Sequence, residues 1–348
     1  MSAAPPIVPL DYPAASLEQL LGPEWGESLI RAYRWMTLAR VLDARMLALQ
    51  RQGRIGFYGP ATGQEAVSVG AALSIRPGDW VFPGLREQLV ALARGHPLPT
   101  YLHHLFADGL DPARGRQMPC HPTARDVRYV SMSSVVGTQI TQAVGLAHGL
   151  RLRKDPSVAL AFFGDGATST NDFHGGANLA AVWQAPVVLC CTNNQWAISV
   201  PVERQTRTGT LAEKASAYGM PGERVDGTDL VAVTSRLRAA VARARAGGGP
   251  TLLEFVVYRM TPHSSSDDPS RYQAAEFLVS AQAHDPYLRL ESLLRTLGLA
   301  DDARIEAWRA ESDGAVRAAI EVAEAAPAPG PETLLTDVFA PSEPPASS

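Results

Sequence analysis

Two uninterrupted apolar runs constrain this chain more than any other feature. Val158–Phe163 (VALAFF) and Val187–Cys191 (VVLCC) are of strand length, and neither alternates polar with apolar residues. A strand with one wet face reads with period two, so a run that is apolar throughout must be covered on both faces. Between the runs lies Asn171–Trp183, rich in small residues and helix-length, with Pro186 closing it. A helix over 230–246, a glycine stop at 247–249 and a third apolar run at 252–258 repeat the unit. This repetition predicts an α/β fold, a mostly parallel sheet with helices on both faces. Ligands of such sheets gather beyond the carboxyl ends of the strands. The loops at 164–170, 192–200 and 259–272 are therefore expected to converge.

The flanks are read from helical spacing, which predicts helices over 27–50, 64–73, 86–93 and 139–152. A glycine-dense loop, GRIGFYGPATG, occupies 53–63. Residues 1–16 form a Pro/Ala stretch without periodicity, expected to lie on a neighbouring molecule. The expected organisation is an N-terminal arm (1–30), one α/β domain (31–275), and C-terminal helices with a Pro-rich tail (276–348).

Charge and cysteine usage exclude several functions. A net charge of −4 argues against an electrostatic nucleic-acid binder. Lys154 and Lys214 are the only lysines, and neither sits in a Schiff-base or phosphate-loop motif. Cys120, Cys190 and Cys191 make no CxxC and no even framework, which points to a reducing compartment. Cys190 and Cys191 are expected to serve as small apolar strand residues. No run reaches the roughly 18 apolar residues of a membrane span. The first residues carry no secretory or transit signature, so a cytoplasmic protein is expected.

The chemistry is carried by Gly164-Asp165-Gly166 and Asn194, each closing an apolar run. A carboxylate, an amide oxygen and the backbone carbonyl of Trp196 suit magnesium, which takes a few protein oxygens and completes its shell with phosphate and water. The glycines permit close backbone approach, and the following helix offers free N–H groups to a diphosphate. A bare GDG also fits a simple turn in which Asp165 caps a helix. His263, in the polar loop HSSSDD, could bind phosphate or exchange a proton near neutral pH, while His121 is read as a structural loop residue. His103 and His104 are expected at the surface or an interface. Asp267 and Arg271 could pair to hold the HSSSDD loop.

The GDG…NN spacing resembles the thiamine-diphosphate fingerprint. More narrowly, the chain looks like alpha subunits of the decarboxylating component of 2-oxo acid dehydrogenase complexes. QRQGRIGFYGPATGQEA (50–66), GRQMPCH (115–121), SSVVGTQITQAVG (133–145), FFGDGATST (162–170), NNQWAIS (193–199) and YRMTPHSSSDDPSRY (258–272) carry the likeness. QRQGRI, GRQMP and HSSSDD lean towards the branched-chain type. The resemblance implies a thiamine-diphosphate-binding fold with magnesium on Asp165, Asn194 and Trp196. It implies cofactor contacts from Arg86, Ser134, Val136, Gly166, Ala167 and His263, with His263 catalytic. Ser133, Thr138 and Gln139 match a potassium loop. It further implies an alpha2beta2 heterotetramer whose beta subunit supplies the glutamate for the cofactor ring, and a lipoyl-bearing acyltransferase that accepts the acyl group from a small 2-oxo acid.

Three positions depart from that pattern. A tyrosine usual before Arg86 is Leu85, and an arginine of the animal enzymes before the paired asparagines is Thr192. Thr170 stands where an acidic residue is frequent. Pyruvate or acetoin as substrate, or a catalytically silent assembly subunit, stay open as alternatives.

Overall fold

The computed structural model describes residues 5–336. In chain order the elements are α1 (Ala14–Leu21), α2 (Trp25–Arg51), α3 (Glu65–Ser74), β1 (Trp80–Phe82), α4 (Gln88–Ala93), α5 (Leu98–Phe106), α6 (Thr138–Leu152), β2 (Ala159–Gly164) and α7 (Asn171–Val182). They continue with β3 (Val187–Asn193), β4 (Trp196–Ala197), β5 (Val200–Pro201), β6 (Gly222–Asp226), α8 (Leu230–Arg245), β7 (Thr251–Val256), α9 (Ala275–Ala283), α10 (Pro286–Thr296) and α11 (Asp302–Ala325).

Five strands form one parallel sheet in the order β1-β2-β3-β7-β6. Alternate residues of the apolar runs feed different cores, as the pleat requires. Leu160, Phe162, Val188 and Cys190 join one cluster, which includes Val233 and Leu237 of α8. Ala159, Ala161, Phe163, Leu189 and Cys191 join the other, against α6 and α7. The two cysteines are thus fully buried on opposite faces, as small apolar residues. A third, mainly helical core gathers α1, α2, α10 and α11 with parts of other helices and loops.

Helix ends follow local chemistry. Asp229 accepts the N–H groups of Val231 and Ala232 at the start of α8, and Asp285 does the same for Tyr287 and Leu288 of α10. Thr170 caps α7 by accepting from Phe173 N–H at 3.2 Å, so Asp165 is not that helix's cap.

The arm differs from expectation. Val8 N–H donates to the Ala283 carbonyl at 2.8 Å, and Tyr12 donates to Asp229 at 2.6 Å. Leu10, Leu17 and Leu21 are buried in the helical core. Three well-spaced leucines suffice to dock this segment on its own subunit and to start a helix inside it. The tail after α11 folds back too: Gly109 N–H donates to the Pro327 carbonyl at 2.7 Å, and Arg116 reaches Thr333 and Thr336. The remainder of the Pro-rich tail, 337–348, lies outside the described residues. Among the described residues no helix is long and apolar enough to cross a membrane.

Candidate active site

The three loops expected to converge do so, around a cavity of about 540 Å³ at the carboxyl ends of β2 and β3. Gly166 and Ala167 after β2, Asn194 and Trp196 after β3, and His263 after β7 all line it. Arg86, from the turn before α4, and Ser133, Ser134, Val136 and Gln139, from the stretch entering α6, complete the wall. A separate depression of about 630 Å³ between α2 and α11 gathers surface arginines around Trp35 and lies apart from these strand ends.

Asp165 is only 1 % exposed. Burial pushes its carboxyl up to about 6, against the lowering effect of the Gln205 amide, which donates to Oδ2 at 2.6 Å. Asn194 lies beside it, its Oδ1 accepting Trp196 N–H at 3.1 Å and its amide donating to Gln64 at 3.4 Å. The Gln205 amide and the backbone N–H groups of Asp165 and Asn194 serve this desolvated carboxylate as neutral donors, and a divalent cation would supply the positive charge that they do not. The amide nitrogen of Gln64 and the amide oxygen of Gln205 are buried without partners, leaving polar capacity around the same point. One carboxylate, one amide and one carbonyl are a hard-oxygen set suited to magnesium. Gly166 must be glycine, since a Cβ there would meet the Ala197 Cβ at 2.7 Å.

Opposite stand Arg86 and His263. Arg86 is buried, donating to the Pro60 carbonyl and, at 2.6 Å, to that of His263. Its Nη2 also lies 3.4 Å from His263 Nδ1. Since an arginine only donates, Nδ1 is the acceptor and Nε2–H is free to donate. Burial, followed by the Arg86 and Arg259 charges, lowers the imidazole to about 4. His263 is therefore neutral at physiological pH in the ligand-free chain.

The loops are pinned by residues that sequence reasoning missed. Arg259 is fully buried and donates to the Ile198 carbonyl at 2.8 Å and to Tyr272 at 2.6 Å. Ile198 holds φ at 57°, a strained setting for a β-branched residue. Tyr272 donates to Asp267 at 2.5 Å, and Asp267 accepts His263 N–H at 2.7 Å. Asp267 is thus engaged by Tyr272 and the backbone rather than by Arg271. Asp43 holds the glycine-dense loop, accepting from Tyr58, Ala61 N–H and Thr62 at 2.6–2.9 Å, and that loop presents the Pro60 carbonyl to Arg86. A lone arginine in YRM and a lone aspartate in a helix carry no sequence signal of such roles.

Other expectations fare differently. His103 and His104 are buried, pairing with Asp108 at 2.7 Å and Asp111 at 3.3 Å; these carboxylates satisfy them inside the subunit. His121 is a cavity residue, in contact with Ser134. Leu85 packs near Gly59, and Thr192 is buried, donating to Glu87 at 3.2 Å, while both also line the cavity. Gln139 donates to the Phe162 carbonyl at 2.8 Å while its amide oxygen is buried without a partner, an atom suited to a monovalent cation. Ser133 accepts Val135 N–H at 3.2 Å, and Thr138 begins α6. Gly137, at φ 93°, is required there because a Cβ would meet Thr170 Oγ at 2.5 Å.

A family profile described as "Dehydrogenase E1 component" matches residues 33–332. The chain belongs to that family. It is 41 % identical over 316 residues to the 2-oxoisovalerate dehydrogenase subunit alpha of Bacillus subtilis, covering 90 % of this chain and 96 % of that protein. It is 43 % identical over 273 residues to the 3-methyl-2-oxobutanoate dehydrogenase subunit alpha of Mycobacterium tuberculosis, covering 78 % and 72 %. To the human mitochondrial 2-oxoisovalerate dehydrogenase subunit alpha it is 37 % identical over 314 residues, covering 90 % and 71 %.

Proposed function

We propose that this chain is the alpha subunit of a branched-chain 2-oxo acid dehydrogenase, which decarboxylates 3-methyl-2-oxobutanoate and related acids and transfers the acyl group to a lipoyl group. The observation that carries the proposal is a buried Asp165 beside Asn194 at two strand ends, with Arg86 and His263 across the cavity. The names of the relatives support the substrate class.

Thiamine diphosphate, when bound, supplies the electron sink that decarboxylation needs. Asp165, Asn194 and the Trp196 carbonyl would hold magnesium, and the N–H groups of Gly166 and Ala167 would face the diphosphate. Arg86 brings a fixed positive charge. His263 donates Nε2–H, kept in that tautomer by Arg86. Ser134 and Val136 line the cofactor's path, and Ser133, Thr138 and Gln139 would hold potassium.

A beta subunit completing an alpha2beta2 assembly is part of the proposal, with a lipoyl-bearing acyltransferase as the next partner. Val135, Val136, Ile198 and Val200 are exposed on the residues around the cavity, which suits coverage by a second chain. The three cysteines are free and buried, in keeping with a reducing, cytoplasmic setting. The test is turnover of the chain co-expressed with its beta partner, given magnesium, thiamine diphosphate and a lipoylated acceptor. Faster turnover on 2-oxoisovalerate than on pyruvate is expected. Preference for pyruvate would reassign the substrate, and no turnover on any 2-oxo acid would sink the enzymatic reading.

A further inference from the structure

Beside the apolar side chains Phe57, Met118, Met132 and Val136 of the cavity wall stands a hydrogen-bonded polar pair, His121 and Ser134. Nε2 of His121 contacts the Ser134 hydroxyl, and Nδ1 lies 3.0 Å from the Pro119 carbonyl oxygen. A carbonyl oxygen only accepts, so Nδ1 carries the proton and Nε2 of the neutral ring is a bare acceptor. Ser134 must then donate its hydroxyl proton to His121. Its oxygen lone pairs are left for something else, and Ser134 is exposed to the cavity side.

The placement of this ring is secured from behind. His121 N–H donates to His104 Nε2 at 3.1 Å, and His104 Nδ1 meets Asp111. Asp111 also accepts from Ala113 N–H at 3.0 Å and Gly115 N–H at 2.8 Å. Cys120, the preceding residue, holds φ at 65°, a left-handed setting that non-glycine residues rarely adopt. Its sulfur accepts Gly59 N–H at 3.4 Å. A ring that only filled space would need neither the strained residue before it nor a buried His–Asp pair behind it.

We infer that His121 is a positioning residue, which holds the Ser134 oxygen as a hydrogen-bond acceptor for an N–H or O–H donor of the bound molecules. The inference rests on the proposed function. The donor comes from the cofactor, because an ionised 2-oxo acid offers only acceptor oxygens.

The test uses the assembled alpha–beta enzyme and the variants His121→Leu, Ser134→Ala, the double variant and His121→Gln. Two quantities are read: the Kd of thiamine diphosphate with magnesium, from tryptophan fluorescence, and kcat/KM for 2-oxoisovalerate. Each single loss is expected to raise Kd and lower kcat/KM about tenfold, within the range of one hydrogen bond in a buried site. The double variant should be no worse than either single one, because one contact is being removed twice. His121→Gln, which keeps an acceptor oxygen, should return to within about twofold of wild type. Loss of the contact should move Kd together with kcat/KM; a loss confined to kcat/KM overturns the inference. Additive losses, or a wild-type response in Ser134→Ala, overturn the inference even where His121→Leu fails to fold. A wild-type assembly that does not bind thiamine diphosphate overturns the function reading itself, and is told apart by that result.

Discussion

The two sides of the cavity are built in opposite ways. Asp165 and Asn194 stand where buried parallel strands end, so the sheet fixes them. His263 stands on a polar loop held by a chain of hydrogen bonds, in which Arg259 donates to Tyr272 and Asp267 accepts from Tyr272 and from His263 N–H. Electrostatically they also differ in sign: burial raises Asp165 and lowers His263, and in both cases it disfavours the charged form. On the sheet side desolvation outweighs the Arg259 charge at Asp165, and on the loop side the same arginine and Arg86 stand close to an uncharged imidazole. An anionic diphosphate bound with a metal complements both sides.

Removing the sheet-side charge should have the largest effect. Asp165→Asn is expected to weaken magnesium-dependent cofactor binding by more than about 100-fold, the scale on which lost charge-assisted contacts act, as measured by calorimetry. The same substitution should stabilise the metal-free chain at pH 8. Asp165 has a raised pKa when folded, so its ionisation costs stability above about 6 and nothing below the usual carboxylate range. The gain should be about 2–3 kcal/mol at pH 8 and shrink towards pH 5, read from thermal melts.

His263→Ala tests the loop side next. Turnover should fall about 100-fold or more, while circular dichroism and the melting temperature of the free chain stay near wild type at pH 8. His263 is depressed when folded, so its contribution is present above its unfolded value of 6.5 and is lost as pH falls towards about 4. The variant should therefore lose less stability than wild type between those values. Near-normal turnover would remove His263 from the mechanism.

Asp267→Asn sharpens the contrast further. It loosens the loop without touching the sheet, so limited proteolysis should cut within 263–272 several-fold faster while the core stays protected. Equal protection of that loop in both proteins would show that Asp267 does not hold it. Leu85→Tyr should give the smallest effect, raising cofactor affinity up to about tenfold through one added hydroxyl donor. A fall in affinity would mean that Leu85 packing on Gly59 matters more than a phosphate contact.

The same contrast decides what could be read from the sequence. Runs apolar at every position required burial on both faces, so β2, β3, β7, their helices and the convergence of their loops were legible. β1 is three residues long, and the edge strand β6, GERVD, is half exposed, so neither carries that pattern. The pinning residues were illegible for a different reason. Arg259, Gln205, Asp43 and His121 act through partners brought close only by the fold, and a polar residue in a loop reads the same whether buried or solvated. His103 and His104 misled because their buried carboxylate partners lie beyond the end of their helix.

Direct titration of the assembled alpha–beta protein with thiamine diphosphate tests the central claim, that this chain supplies the metal–diphosphate half of a shared site. Wild type should bind saturably only with magnesium present, and Asp165→Asn and Asn194→Ala should each abolish that dependence. Magnesium-independent binding, or wild-type affinity in both variants, would contradict the account.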